Sequence, residues 1–79
     1  MINIDEAIDY CIKFFKSIGI SLDKNYVSEY YRANEPLYHD MFSKANSKYI
    51  AIELYEEKFK KELNNVQQDK IHNFYSQLK

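Results

Sequence analysis

The sequence is short of the residues that mark most kinds of chemistry. It has one glycine, one proline and one cysteine, and it has no tryptophan. A lone glycine excludes the phosphate-cradling loop and the dinucleotide-binding turn, both of which need several. A lone cysteine, Cys11, excludes an internal disulfide and leaves a thiolate-based zinc cluster short of ligands. Arg32 is the only arginine, and the formal charge is −1, which is far from the footprint of a protein that neutralises many phosphates. No apolar run approaches the roughly 18 residues that a membrane span requires. The opening MINIDEAIDY is acidic and does not read as a secretory leader, so the expected compartment is a reducing cytoplasm.

What the sequence does hold is helix formers and tyrosine. The 79 residues make one domain. A chain this short buries only about 60% of the surface its unfolded form exposes, so small domains often lean on a disulfide, a metal or a second copy. With the first two disfavoured, a homodimer is the expected form. Residues 1–40 carry seven acids and four bases while residues 41–79 carry five acids and seven bases, giving −3 against +2. Such a split can orient two copies or favour a partner of mixed charge. Lys, Asn, Ile and Tyr supply 34 of the 79 residues, a bias that AT-rich codons produce, which points to a low-GC bacterium or its phages and mobile elements.

The pattern reads as all-α. A first helix is expected over Ile4–Ile18, capped by Asn3 with Glu6 three residues on, and closed by Gly19. Ile4, Ala7, Ile8, Cys11, Phe15 and Ile18 form its apolar stripe. A second helix is expected from Ser21 or Asp23 to Ala33, stopping at ANEP because Pro36 restricts Glu35. Beyond it, Tyr38, Phe42, Ala45, Tyr49, Ile52, Glu56, Phe59, Leu63 and Val66 step four, three, four, three. This spacing predicts one long helix over Pro36–Val66, about 45 Å in length, with SKANS (43–47) as its weak point. A turn of face or a break is expected near Asn64–Asp69. Ile50 and Leu54 lie opposite the long stripe, so a bundle of two short helices and this rod would leave them for self-association.

The chemistry-bearing groups are sparse. Glu35, His39 and Asp40 are too few for a zinc centre without His72, so no metal or other cofactor is expected. Cys11 sits inside an apolar stripe, where a cysteine acts as a small hydrophobe and not as a nucleophile. An enzyme is therefore not expected. A helix-turn-helix regulator of nucleic acid would have to use Lys44, Lys48, Lys58, Lys60 and Lys61, yet the segment that should meet base edges, EPLYHDMFSK, is poor in bases. Glu56 and Glu57 precede Lys60 and Lys61 by four residues and are expected to pair with them. Membrane-surface binding is disfavoured by the mixed charge of the polar faces.

The stretch YYRANEPLYHDMF (30–42) is rich in the residue types that protein interfaces favour. Tyr30, Tyr31, Arg32, Tyr38 and His39 are the expected recognition residues. The expected function is a small non-catalytic interaction module, such as an inhibitor, an immunity factor or a regulator of an unidentified protein partner.

Overall fold

The first helix forms where its cap predicts. Asn3 accepts a hydrogen bond from the Glu6 backbone N–H at 2.9 Å, and the Glu6 carboxylate accepts one from the Asn3 N–H at 3.4 Å. This reciprocal box starts α1 (Ile4–Ser17). Its end is equally regular: the Ile20 N–H reaches the Phe15 carbonyl at 2.8 Å and the Gly19 N–H the Lys16 carbonyl at 3.0 Å. The pair is a Schellman closure, and Gly19 at φ +85° supplies the left-handed residue it needs.

These observations come from a computed structural model of the chain, which describes residues 1–38 and 41–78, with the backbone alone at 35–38. Asp23 caps α2 (Lys24–Tyr38) by accepting from the Tyr26 N–H at 3.1 Å. This helix runs past the stop expected at Ala33 and carries Pro36 in its last turn. So close to the end few backbone hydrogen bonds remain for a proline to interrupt. A short strand, β2 (Met41–Phe42), then pairs antiparallel with β1 (Ile2–Asn3), Ile2 opposite Phe42 and Asn3 opposite Met41. The sequence pattern predicted no strand.

Ser43 restarts the helix by accepting from the Asn46 N–H at 3.0 Å, and α3 (Lys44–Phe59) follows. It stops at Lys60, whose φ of 56° is left-handed. A second capping box, Asn64 with Gln67 at 2.8 and 3.0 Å, opens α4 (Asn65–Ser76). The expected rod from Pro36 to Val66 is therefore interrupted twice, before Ser43 and over 60–64. At both places a side chain that satisfies free helix-end N–H groups offers the backbone a better arrangement than continued helix.

The described residues thus form four helices and one two-stranded ladder, a mostly helical fold. Its core draws Ile4, Ala7, Ile8, Cys11, Phe14 and Phe15 from α1, Val27 and Tyr31 from α2, Phe42 from β2, Ile50, Ala51, Leu54 and Tyr55 from α3, and Ile71 and Tyr75 from α4. Phe15 stacks on Tyr55 at 5.6 Å, and Tyr10, Phe14, Phe74 and Tyr75 close the seam between α1 and α4. The Tyr10 hydroxyl donates to the Phe74 carbonyl at 2.6 Å.

Ile50 and Leu54 lie inside this core at 0% exposure. They are therefore not the self-association surface that the sequence pattern predicted, because α3 turns the face opposite the long stripe toward α1 and α2. The radius of gyration is 11.5 Å, against about 12 Å for a folded chain of this length. The accessible surface is 5006 Å² for 9.5 kDa, against about 5,000 Å² from the scaling of folded monomers. No helix among the described residues is long and apolar enough to cross a membrane.

Candidate interaction surface

Helix α3 is apolar on two opposite sides. On one lie Ser47, Ile50, Ala51, Leu54 and Tyr55, all buried, at the i, i+3, i+4, i+7, i+8 spacing of a core-facing helix. About 180° away on a 100° per residue wheel lie Ala45, Tyr49, Ile52, Glu56 and Phe59. Of these, Tyr49 is 56% and Phe59 38% exposed, and Ile52 and Glu56 are part-buried. This outer row is the middle of the stripe from Tyr38 to Val66 that the spacing predicts to face inward. In the fold it faces out, and Val66 at its far end is 63% exposed.

Of the expected recognition residues, Tyr30, Tyr31 and Arg32 have described side chains, and these three do not form one surface. Tyr31 is a core residue at 0% exposure, its hydroxyl donating to the Ser47 carbonyl at 2.8 Å. It belongs to the interior because α2 packs it between α1 and α3, and not to the recognition surface expected of it from the sequence. Tyr30 is part-buried in the seam between α2 and α3, where burial first, and then the Glu57 and Glu53 carboxylates, push its hydroxyl up to about 12. Arg32 is exposed and forms an ion pair with Asp5 at 3.3 Å. Tyr38 closes α2, its side chain lying outside the described residues, as do His39, Asp40 and the side chain of Glu35.

Around the seam, the Lys58 ammonium lies 4.6 Å from the Tyr26 ring centroid, a cation–π contact that covers the ring while leaving the charge wet. Lys44 donates to the Ser76 carbonyl at 3.3 Å. The five lysines considered for nucleic acid fall at the two ends of α3: Lys44 and Lys48 at its start, Lys58 on its last turn and Lys60 and Lys61 beyond it. The pairing expected between Glu56 and Lys60, and between Glu57 and Lys61, lacks its helical frame because α3 ends at Phe59. Ion pairs among the described residues join α1 to α2 instead, Asp9 with Lys24 at 3.5 Å and Asp5 with Arg32.

Two other features carry polar groups. Burial pushes the Cys11 thiol up to about 12, and the nearby Tyr31 and Tyr75 hydroxyls offset only part of that shift. A thiol in this state is not an available thiolate near neutral pH. Beside it the Tyr75 hydroxyl is buried and has no hydrogen-bond partner among the described residues. A shallow groove of about 290 Å³ lies between α1 and α4, floored by Phe14, Ile18 and Phe74 and rimmed by Ser17, Lys70, Asn73 and Gln77. Lys70 is the one charged residue of that lining.

No protein-family model matches the chain, and neither a curated protein nor a solved structure matches it.

Sequence reasoning missed the outer face of α3 as a surface because it had assigned that face to the core. The signal that could have found it is the second set at helical spacing, Ser47, Ile50, Ala51, Leu54 and Tyr55. Serine and alanine at two of its five positions weaken its apolar appearance against the larger side chains opposite.

Proposed function

We propose that this chain is a non-catalytic interaction module that works by docking onto another protein, in the manner of a small inhibitor, immunity factor or regulator. The observation that carries this reading is the double-sided character of α3. A helix on the surface of a small domain needs one apolar face for its own core. Here that need is met by Ile50, Ala51, Leu54 and Tyr55, and Tyr49 and Phe59 remain exposed on the other side, beside a part-buried Ile52. Aromatic side chains in such a place bury much area on association with little rotamer entropy to lose.

The docking face is therefore the outer row of α3. Tyr30 and Arg32, exposed wholly or in part on α2, are secondary contacts. The test is capture of a partner from the native host with tagged protein, identification by mass spectrometry, and measurement of its affinity for the wild type and for an Ile52→Asp, Phe59→Asp variant. The variant is expected to keep its helical circular-dichroism spectrum and lose the partner by at least tenfold. Retention of full affinity by the folded variant would show that the docking face lies elsewhere.

A further inference from the structure

Cys11 of α1 and Tyr75 of α4 meet in the core. The Cys11 side chain is at 0% exposure, with the Tyr31 and Tyr75 hydroxyls as its polar neighbours. The Tyr31 hydroxyl has the Ser47 carbonyl at 2.8 Å, whereas that of Tyr75, at 1% exposure, has no partner among the described residues. Seating α4 therefore takes a hydroxyl out of water without replacing its hydrogen bonds, and lifting the helix relieves that cost.

The rest of α4 is lightly held. It places Ile71 and Tyr75 in the core, fewer residues than α1 or α3. Val27 and Tyr31 of α2 are as few, but α2 lies mid-chain and is ion-paired to α1 through Asp9–Lys24 and Asp5–Arg32. Hydrogen bonds reach α4 from the Tyr10 hydroxyl, to the Phe74 carbonyl, and from the exposed Lys44 ammonium, to that of Ser76. Ahead of α4, Leu63 is buried and pins the connection, so a pivot falls at Asn64, the cap. Once lifted, a helix of 12 residues is too short to persist in water, and it melts. An opening of this kind costs less than unfolding the whole chain.

We infer that α4 is a flap over Cys11: it lifts about Asn64 while α1, α2 and α3 remain packed, and the thiol, closed off while α4 is seated, then becomes a site of exchange with small disulfides. In that exchange the Cys11 proton passes to water and the thiolate attacks one sulfur of the disulfide. The old S–S bond breaks, a new one forms at Cys11, and the other half leaves as a thiolate. With α4 down, a side chain at 0% exposure offers no line of attack.

The test follows the reaction of the full chain with a chromogenic aromatic disulfide, dithiobis(nitrobenzoate), at about pH 8, where a solvated thiol is partly ionised. The wild type is expected to react at least tenfold faster than global unfolding allows, given its urea stability and the rate for the unfolded chain. Two cap variants separate the flap from the globule. Asn64→Ala at the start of α4 and Asp23→Ala at the start of α2 should both lower the urea midpoint. The first should speed the reaction at least threefold, and the second should leave it nearly unchanged. Tyr75→Phe, which removes the hydroxyl that closure leaves unpartnered, should react more slowly than the wild type. A wild-type rate no faster than global unfolding allows, acceleration by both cap variants alike or by neither, or a Tyr75→Phe rate at or above that of the wild type would overturn the inference.

Discussion

Two buried tyrosines with the same chemistry have opposite consequences. The Tyr31 hydroxyl is satisfied by the Ser47 carbonyl at 2.8 Å, whereas the Tyr75 hydroxyl is buried with no hydrogen-bond partner among the described residues. A satisfied buried hydrogen bond contributes about 1 kcal/mol, and an unsatisfied buried group costs about 1–3 kcal/mol. Tyr31→Phe is therefore expected to destabilise by about 1 kcal/mol, and Tyr75→Phe to be neutral or to stabilise by up to about 1 kcal/mol. Urea denaturation of the two variants checks the contrast. The same cluster sets an alkaline limit. Burial raises the Cys11 thiol from its ordinary value near 9 to about 12, and raises the Tyr31 and Tyr75 hydroxyls well above theirs. Folded-state values above the unfolded ones mean that the folded chain holds these protons longer than the unfolded chain does. Their stabilising contribution is complete below about pH 9 and is lost as the pH climbs toward 12. The urea midpoint should hold steady from neutral pH to about pH 8 and fall above about pH 9, and Cys11→Ala should remove the earliest part of the fall.

At the scale of the elements, the two left-handed positions among the described residues respond oppositely to substitution. Gly19 at φ +85° has nothing within 4 Å of where a Cβ would sit, so Gly19→Ala is expected to cost about 1 kcal/mol through the backbone alone. Lys60, at φ 56° beyond α3, is the reverse case: Lys60→Gly should stabilise by about 0.5–1 kcal/mol. Thermal unfolding of both variants would show shifts of opposite sign. These ends also show what the sequence makes legible. Asn3 with Glu6 and then Gly19 marked α1 at both ends, because caps are local chemistry. The break between α3 and α4 was harder to see, because Phe59, Leu63 and Val66 continue the apolar spacing across residues that are not helical. The face of α3 was misread for a tertiary reason: which of two apolar faces is buried is decided by the shape of α1 and α2, and small Ser47 and Ala51 fit there. The candidate surface was legible as a set of side chains and illegible as a location. Tyr31 went to the core and Tyr49 and Phe59 came to the surface.

For the whole molecule, the decisive substitution is Ile50→Asp. On a self-association surface it would split a dimer into folded halves. In a core position at 0% exposure it places a carboxylate among apolar side chains and should cost about 3 kcal/mol or more. A domain with a total margin of about 5–10 kcal/mol cannot spare much of that. Loss of the helical signal at 37 °C, with no change in association state beforehand, is the expected outcome; a folded, soluble monomeric variant would place Ile50 at an interface after all. The ladder between Ile2–Asn3 and Met41–Phe42 has a bearing on how the molecule is taken apart. Asn3 is at once a rung of that ladder and the cap of α1, so removing residues 1–3 would unfasten the clasp that holds β2 and fray the first helix in a single act. Two residues, Ile2 and Asn3, thus latch one end of the fold, and a cut that spares them leaves that latch shut.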